Sequence, residues 1–315
     1  MLALVFPGQG SQEVGMGRVV YEESPAAREI FDAADAVLGL SLTKLCFEGP
    51  EDELLRTEIQ QPAILTTGIA LLRALEERVT VAPAFVAGHS LGEYTALVAA
   101  GSLAFEDGVR LVHARGRFMQ EAVPQGRGAM AAVLGLAADE VRTACDGARA
   151  ATGMVVAPAN YNSPQQTVIA GDAVAVEAAC ARARQEGAKR TIPLAVSAPF
   201  HCELMAPAAA KLALELARVR FSEARPPVVT NVEAQPNADA ARIPELLEAQ
   251  VTAPVRFTEM IQRMTELGVG RFLEIGAGRV LSGLVSRIGR RLERASLGSA
   301  GDLSESASFA LGEGA

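Results

Sequence analysis

The sequence has few of the residues from which metal sites and covalent scaffolds are built. Its 315 residues include four cysteines, three histidines and no tryptophan, and no two cysteines form a C-x-x-C pair. These absences exclude a zinc ribbon and a disulfide scaffold, and they favour a reducing, cytoplasmic location. We therefore predict no metal site, and each histidine can be assessed individually.

Long apolar runs and an excess of positive charge are also missing. The most apolar stretches, residues 65–75 and 95–105, are too short or too interrupted by charge to cross a bilayer. Residues 1–7 lack the basic region that begins a signal peptide, so we expect none. The net charge of −8 disfavours broad binding to nucleic acid or to an anionic membrane. We therefore expect neither as a partner.

The sequence does contain enough apolar residues for a sizeable core, arranged as alternating strands and helices. Half of the residues are apolar and 21% are charged. Residues 2–6 and 84–87 are continuous apolar runs that end in glycine-rich turns, which is typical of strands in a buried parallel sheet. Apolar residues recur at helical spacing over residues 61–79, and Ser24 before Pro25 is a good helix start. The pattern predicts an α/β core with a mostly parallel sheet.

The middle of the chain has a different order of elements, β-α-β-β-α-β, which is the ferredoxin-like arrangement. Its strands are expected at residues 129–134, 154–159, 166–170 and 190–194, with a turn at 160–164, and its helices at 139–147 and 172–186, the second capped by Asp172. We place a ferredoxin-like small domain at residues 126–196, inserted into a larger discontinuous domain of residues 1–125 and 197–295. Residues 296–315, rich in Gly, Ser and Ala, are expected to be a flexible tail.

The sharpest chemical signal is the sequence Gly-His-Ser-Leu-Gly at residues 88–92, between an expected strand and an expected helix. This spacing is that of a G-x-S-x-G nucleophile elbow, in which close packing leaves no room for side chains at the two glycines. The hydroxyl of Ser90 would project into the crevice at the carboxyl end of the strand, and the backbone N–H of Leu91 would face the same crevice. The alternative is an ordinary glycine-rich turn in which Ser90 caps the helix.

A serine nucleophile needs a base, and the three histidines offer the choice. His89 is adjacent to Ser90, so its side chain leaves the turn in another direction, and His113 lies in a helical stretch. His201 lies in a loop that returns from the small domain, and such loops often supply catalytic side chains. By elimination His201 is the best base, the alternative being a histidine that binds backbone at a helix start. Cys202 is disfavoured as a nucleophile because His201 beside it would point elsewhere.

An oxyanion hole needs a second donor, and residues 7–10 offer one. They read Pro-Gly-Gln-Gly after the first expected strand, so they should lie on the same rim as the elbow. The backbone N–H of Gln9 would then complete the hole with that of Leu91. A dinucleotide-binding fingerprint is excluded because Glu13 occupies the position of its third glycine, and no Walker A sequence is present.

Two arginines follow the elbow in a helical stretch. Arg115 lies 25 positions after Ser90, and its guanidinium would bind a carboxylate in bidentate fashion if it reached the crevice. The acyl group of the substrate would then carry a carboxylate. On composition alone, a surface position is the better interpretation of either Arg115 or Arg117.

Five motifs in this order resemble the malonyl-CoA:acyl carrier protein transacylases, the free-standing relatives of the acyltransferase domains of fatty-acid and polyketide synthesis. They are PGQGSQ at residues 7–12, GHSLGE at 88–93, RGRFMQ at 115–120, PFH at 199–201 and QVTAPVRF at 250–257. The resemblance runs from residue 2 to about residue 290. One small departure is Ala277, where the family often has proline.

The resemblance implies a role for each site residue and an α/β-hydrolase-like core. The implied roles are acylated nucleophile for Ser90, general base for His201, oxyanion-hole amides for Gln9 and Leu91, carboxylate binding for Arg115, orientation of the histidine by the backbone carbonyl of Gln250, and malonyl selectivity for Phe200. The family has no triad aspartate, and no acidic residue of this sequence stands out as a partner for His201.

The resemblance further implies an activity and partners. The enzyme would move a malonyl group from malonyl-CoA to the phosphopantetheine thiol of acyl carrier protein, by a ping-pong mechanism through a malonyl-serine ester. Malonyl-CoA is then a substrate and no cofactor is needed, and we expect a cytoplasmic monomer. Acidic carrier proteins would dock on a basic patch, for which the possible members are Lys189, Arg190, Arg287, Arg290 and Arg291, unless these are scattered solvated charges.

Three alternatives must be weighed: two kinds of serine hydrolase and a non-catalytic docking module. An α/β-hydrolase places its histidine late in the chain after an acid, whereas no histidine follows residue 201 here and the HGGG-type loop is missing. A patatin-like Ser–Asp hydrolase would use an Asp-Gly pair, but Asp146 before Gly147 is better interpreted as a helix end. A non-catalytic docking module is disfavoured because Ser90, His201 and Arg115 are all present.

Overall fold

The structure is a computed structural model that describes residues 1–124 and 126–313. Within these residues the chain forms ten strands, which are β1 (Leu2–Phe6), β2 (Phe85–Gly88), β3 (Gly128–Leu134), β4 (Val156–Ser163), β5 (Gln166–Asp172), β6 (Arg190–Pro193), β7 (Val228–Val229), β8 (Pro236–Asn237), β9 (Arg271–Ile275) and β10 (Glu293–Leu297). The α-helices of the same residues are α1 (Arg18–Glu23), α2 (Pro25–Leu38), α3 (Leu42–Glu48), α4 (Glu51–Leu54), α5 (Thr57–Glu76), α6 (Gly92–Ala99), α7 (Phe105–Glu121), α8 (Ala138–Thr152), α9 (Ala173–Gln185), α10 (Ala206–Leu216), α11 (Ile243–Thr252), α12 (Phe257–Glu266), α13 (Val280–Ile288) and α14 (Leu303–Leu311).

The main sheet is mostly parallel, as the sequence predicted. Its strands lie in the order β10-β9-β1-β2-β7-β8, and β8 runs antiparallel to its neighbour β7. Every residue of β1 is buried, as expected for a continuous apolar strand inside such a sheet. Because parallel strands end at the same edge, the residues that follow β1, β2 and β7 meet on one rim. Gln9, Ser90 and Asn231 are among these residues.

Helices cover both faces of the main sheet, and the side chains of β1 alternate between them. Phe6 packs in the larger apolar cluster with Leu65 and Ile69 of α5. Val5 points the other way, into a second cluster with Met260 of α12. Both faces are therefore buried, which leaves the strand ends as the place where polar side chains can gather. Among the described residues, the apolar helices are all too short or too polar to span a membrane.

The second sheet is antiparallel and separate from the first. Its strands lie in the order β4-β5-β3-β6. Helices α8 and α9 pack on it, where Val141 and Val176 join Val133 and Ile169 in a third apolar cluster. The observed succession β3-α8-β4-β5-α9-β6 has the predicted order of elements.

Two local predictions in this region are wrong. Residues 160–164 were expected to form a turn, but most of them continue β4, whose pairing with β5 shifts register next to Pro158 and again next to Tyr161. The strand thus accommodates turn-forming residues as irregularities. Asp172 precedes α9 but does not cap it, because its carboxylate instead accepts the backbone N–H of Val155 at 3.0 Å.

The prediction of a flexible tail is also wrong for residues 296–313, which form regular structure. Strand β10 pairs in parallel with β9, and α14 buries Leu303. The guanidinium of Arg271 donates to the backbone carbonyl of Phe309 at 2.6 Å. Although this segment is rich in small residues, it also contains a few apolar side chains. These side chains pack at the edge of the main sheet. Residues 314–315 of the expected tail lie outside the described residues.

Candidate active site

The turn between β2 and α6 has the tight geometry of an elbow. A Cβ atom added to Gly88 would lie 1.9 Å from the carbonyl carbon of Gly92, and one added to Gly92 would lie 2.1 Å from the carbonyl oxygen of Phe6. Between the two glycines, Ser90 adopts a φ of 54°, in the left-handed region. Such a conformation costs a non-glycine residue on the order of 1–3 kcal/mol, so the surrounding structure must hold it in place.

Asn231 provides much of that support from the neighbouring strand. Its Oδ1 accepts the backbone N–H of Ser90 at 2.7 Å, and its Nδ2 donates to the carbonyl of Gly88 at 2.7 Å. Asn231 follows β7, which pairs with β2. The elbow and the side chain that stabilises it therefore lie on the same rim of the sheet. Asn231 could not be identified from the sequence, because a single asparagine at a strand end belongs to no motif.

Ser90 and His201 are in direct contact. The Oγ of Ser90 lies 2.7 Å from Nε2 of His201, and Nδ1 of His201 lies 2.9 Å from the backbone carbonyl of Gln250. A carbonyl only accepts hydrogen bonds, so Nδ1 carries the proton and Nε2 is left to accept from the serine hydroxyl. Both side chains are buried, at 8% and 3% exposure. The arrangement can remove a proton from Ser90.

The imidazole of His201 is neutral at ordinary pH. Burial lowers its pKa to about 3, and the nearby positive charge of Arg115 adds to this effect. His201 also has a positive φ, 60°, so both members of the pair sit in strained backbone. Strain at two contacting polar residues points to function rather than to packing.

Arg115 is fully buried on α7 and faces the same site. Its Nη2 donates to Ser90 Oγ at 3.1 Å and to Gln250 Oε1 at 2.9 Å, while Nη1 donates to Gln61 Oε1 at 2.8 Å. Arg117 is exposed. The surface interpretation therefore applies to Arg117 and not to Arg115. The three partners of Arg115 are neutral, so its charge is available to an anionic ligand.

The two backbone amides expected to form an oxyanion hole belong to the residue after Ser90 and to a residue of the loop after β1. Leu91 is the first residue before α6, and Gln9 lines the same cavity as Ser90. Within the described residues, neither N–H has a hydrogen-bond acceptor. The side chain of Gln9 donates to Gln60 Oε1 at 2.5 Å, which fixes the loop after β1. Both amides are thus free to bind an oxyanion.

The cavity above Ser90 has a volume of about 530 Å³ and lies between the two sheets. The segments after β1 and β2 of the main sheet contribute Gln9 and Ser90, and β3 of the small sheet contributes Met130. Phe200, which is 6% exposed, forms an apolar part of the lining next to His201. A space of this size admits a short acyl group and the end of a thiol arm.

The other two histidines and the cysteine beside His201 have structural partners. A ring nitrogen of His89 lies 2.8 Å from Asn162 Oδ1, and one of His113 lies 2.8 Å from the carbonyl of Glu58. Cys202 donates to the carbonyl of Pro199 at 3.1 Å, and burial raises the pKa of its thiol to about 11. A thiol in this state is inert near neutral pH.

Several polar residues of the site were not found from the sequence. Gln60 and Gln61 are buried in the otherwise apolar face of α5, and this departure from the pattern was a usable signal. Glu93 is a buried acid whose Oε2 accepts from Gln250 Nε2 at 2.7 Å. Burial raises the pKa of Glu93 to about 7. Glu93 contacts the side chain of Gln250 rather than His201.

Comparisons with known proteins all indicate one family. The family model described as acyl transferase domain matches residues 3–305. The malonyl CoA-acyl carrier protein transacylase of Bacillus subtilis is 50% identical over 93% of this chain and 92% of its own length. The Escherichia coli protein of the same name is 49% identical over 91% of this chain and 92% of its own.

Solved structures agree with the sequence relatives. An acyl carrier protein S-malonyltransferase from Vibrio cholerae superposes with a TM-score of 0.94 and 43% identity, covering 97% of this chain and 99% of its own. A type II PKS acyl-carrier protein in complex with its malonyl-transacylase gives a TM-score of 0.94 and 45% identity, covering 97% of this chain and 98% of the other. The chain therefore belongs to the acyl transferase domain family, among the malonyl-CoA:acyl carrier protein transacylases.

Proposed function

We propose that this protein transfers a malonyl group from malonyl-CoA to the phosphopantetheine thiol of acyl carrier protein, through an ester on Ser90. The observation that carries the proposal is a buried guanidinium in contact with the nucleophile, with Arg115 Nη2 3.1 Å from Ser90 Oγ. A cation held there suits an acyl group that ends in a carboxylate. The names of the relatives contain the same donor and acceptor.

In the first half-reaction, Ser90 Oγ attacks the thioester carbonyl while its proton passes to Nε2 of His201. The carbonyl of Gln250 holds Nδ1–H and stabilises the imidazolium that forms. The amides of Gln9 and Leu91 stabilise the oxyanion, each by ~3 kcal/mol in similar sites. Collapse of the intermediate breaks the C–S bond, His201 returns its proton to the CoA sulfur, and a malonyl ester remains on Ser90.

Arg115 has two tasks in this scheme. It pairs with the malonyl carboxylate, which fixes the thioester carbonyl near Ser90. The same pairing neutralises the charge that helps to lower the pKa of His201. The imidazole thus becomes a stronger base as the correct substrate binds, whereas an acetyl group gives no such gain.

In the second half-reaction, the thiol of acyl carrier protein replaces CoA. His201 takes the thiol proton, the sulfur attacks the ester carbonyl, and the C–O bond to Ser90 breaks as the proton passes to Oγ. The reaction is ping-pong, because CoA leaves before the carrier thiol reacts. Phe200 borders the cavity beside His201 and would limit substituents on the acyl group to the size of malonyl.

We also propose a division of the chain into two domains. A main sheet with a serine elbow at a strand end suits an α/β-hydrolase-like core over residues 1–125 and 197–295. A sheet in the order β4-β5-β3-β6 with two helices on it suits a ferredoxin-like small domain at 126–196. The four cysteines are free and buried, which suits the cytoplasm. One chain supplies the whole site, so we expect a monomer.

A basic patch near the small sheet would receive the carrier protein. Arg287 Nη1 donates to Gln166 Oε1 at 2.6 Å. Gln166 and Arg190 flank the same residue, Leu134, on its two neighbouring strands. Arg287 and Arg190 thus lie on one edge, with Lys189 beside Arg190. The strand that begins at Arg190 leads into residues 194–197 of the cavity lining, so a carrier docked here would have its thiol arm close to Ser90.

The experiment that tests the proposed function follows the label of radiolabelled malonyl-CoA. With acyl carrier protein present, we expect label on the carrier; without it, we expect one label per enzyme and little in water. Ser90→Ala should accept none. Release of free malonate at the rate of transfer, with or without the carrier, would favour a hydrolase and contradict the proposal.

A further inference from the structure

A buried acid lies behind the guanidinium of the site. Glu93 is in the first turn of α6 and is 2% exposed. Its Oε2 accepts from Gln250 Nε2 at 2.7 Å and from the backbone N–H of Asn231 at 3.2 Å. Burying a carboxylate costs desolvation free energy, so a buried acid that is retained in a site suggests that its contacts serve a purpose. The chemical steps above give Glu93 no task.

The contact with Glu93 decides which end of the Gln250 amide faces Arg115. Gln250 Nε2 donates to Glu93 and to the carbonyl of Ser90 at 3.0 Å, which leaves Oε1 to accept from Arg115 at 2.9 Å. In the flipped amide, Oε1 would face two acceptors and the NH₂ group would face a guanidinium donor. All three contacts would be repulsive, so the observed orientation is strongly preferred.

When ionised, Glu93 places a negative charge near Arg115 without an ion pair. Because burial raises the pKa of Glu93 to about 7, this charge is present at pH 8 and is lost as the pH falls below 7. Arg115 donates to Gln61, Gln250 and Ser90, and within the described residues it forms no salt bridge. Burial lowers the pKa of Arg115, and Glu93, one side chain further away, partly opposes that shift. A carboxylate in direct contact would compete with the substrate for the same donors. Because Glu93 does not contact Arg115 directly, it supports the charge without competing with an anionic substrate for the guanidinium.

We propose that Glu93 is a positioning residue, which acts through Gln250 to hold Arg115 in the orientation that receives the substrate carboxylate. The inference rests on the proposed function, since a malonyl substrate is what gives Arg115 its task. Glu93 acts on substrate choice, because the Ser90–His201 contact and the backbone carbonyl of Gln250 do not depend on the amide orientation. Its loss should therefore weaken selection of malonyl more than the chemistry at Ser90.

Glu93→Gln tests this, because it keeps the length of the side chain and removes its charge. We expect kcat/KM with malonyl-CoA to fall by at least about tenfold, mainly through KM, and that with acetyl-CoA to change by less than about threefold. Glu274→Gln is the matched control. Glu274 is also buried, but it accepts the backbone N–H groups of Leu281 and Ser282 at 2.9 and 2.7 Å, away from Arg115. Its substitution should lower stability and leave the malonyl-to-acetyl ratio unchanged.

The outcomes separate this inference from the proposed function. An unchanged malonyl-to-acetyl ratio in Glu93→Gln, or equal losses with both substrates, overturns the role of Glu93. If Glu93→Gln does not fold, the ratio is measured on Glu93→Asp, which keeps the charge and shortens the reach to Gln250; a fall supports the role and no change overturns it. Failure of the unchanged protein to load malonyl would refute the proposed function instead.

Discussion

The two walls of the cavity are built in opposite ways. The first wall, at the carboxyl end of the main sheet, presents Ser90 to the cavity. Behind it, Arg115 of α7 and Gln250 of α11 are fully buried and joined to Ser90 by hydrogen bonds. The wall from the small sheet presents Met130 and Val196, which are apolar, and Val196 is 40% exposed. One wall is polar and backed by buried hydrogen bonds, whereas the other is largely apolar and partly exposed.

The difference separates chemistry from recognition. Proton transfer and charge stabilisation need atoms held within hydrogen-bond distance, and a dense buried network supplies that precision. Acyl groups and a carrier thiol arm must enter and leave, which an apolar, partly exposed wall permits. Changes on the first wall should therefore alter kcat/KM by orders of magnitude, and changes near the second should act mainly through KM.

The largest expected effect comes from removing the nucleophile. Ser90→Ala should lower malonyl transfer by at least about 10⁴-fold, because it removes the hydroxyl that contacts the base His201. Steady-state transfer to acyl carrier protein measures this. Cys202→Ala is the control, since the thiol is buried and protonated. Comparable losses in the two variants would mean that the loop around His201, rather than Ser90, limits the reaction.

The next effect should distinguish two neighbouring arginines. Arg115→Ala should lower kcat/KM for malonyl-CoA by about 100-fold, because it removes a charged contact worth ~3 kcal/mol. Acetyl-CoA should lose much less. Arg117→Ala removes an exposed arginine two positions away and should change neither substrate. If Arg115→Ala reduces malonyl and acetyl transfer alike, the carboxylate contact is not the task of Arg115.

The pH dependence of Ser90 reactivity tests the electrostatics of the first wall. The pKa of His201 is lowered to about 3 by burial and by the charge of Arg115, so the imidazole stays neutral as the pH falls from 8 to 5. Glu93, with a pKa of about 7, is protonated within this range, but it does not contact Ser90 Oγ or the ring of His201. The rate at which a neutral serine-directed reagent modifies Ser90 should therefore change by much less than tenfold over this range. A histidine with its ordinary pKa would lose roughly 30-fold of its neutral form at pH 5. A midpoint near pH 6.5 would contradict the account.

The smallest expected effect lies beyond the second wall, on the basic patch. Arg287→Glu should raise the KM for acyl carrier protein by about threefold at low salt, and loading from malonyl-CoA should not change. The effect should shrink as salt is added, because exposed charges are screened. Arg220→Glu reverses an exposed arginine outside the patch and serves as the control. An equal change in both variants would indicate net charge rather than docking.

The same contrast explains how far the sequence could be interpreted. The alternation of strands and helices predicted the parallel sheet, and turns at strand ends predicted that Gln9 and Ser90 share a rim. Asn231 and Glu93 were missed because their partners lie far away in the chain, 141 positions for the contact of Asn231 with Ser90 and 157 for that of Glu93 with Gln250. Only the folded sheet brings such residues together. The order of the C-terminal segment was not predicted, because its many small residues are typical of a flexible tail and Leu303 is one of few large apolar residues in it.

The most direct test of the account is the position of the acyl group on the enzyme. After brief exposure to malonyl-CoA without a carrier protein, the protein should gain the mass of one malonyl group, and fragmentation should place it on Ser90. Added acyl carrier protein should remove it. A malonyl group found on another residue, or no gain in mass while transfer proceeds, would contradict the mechanism.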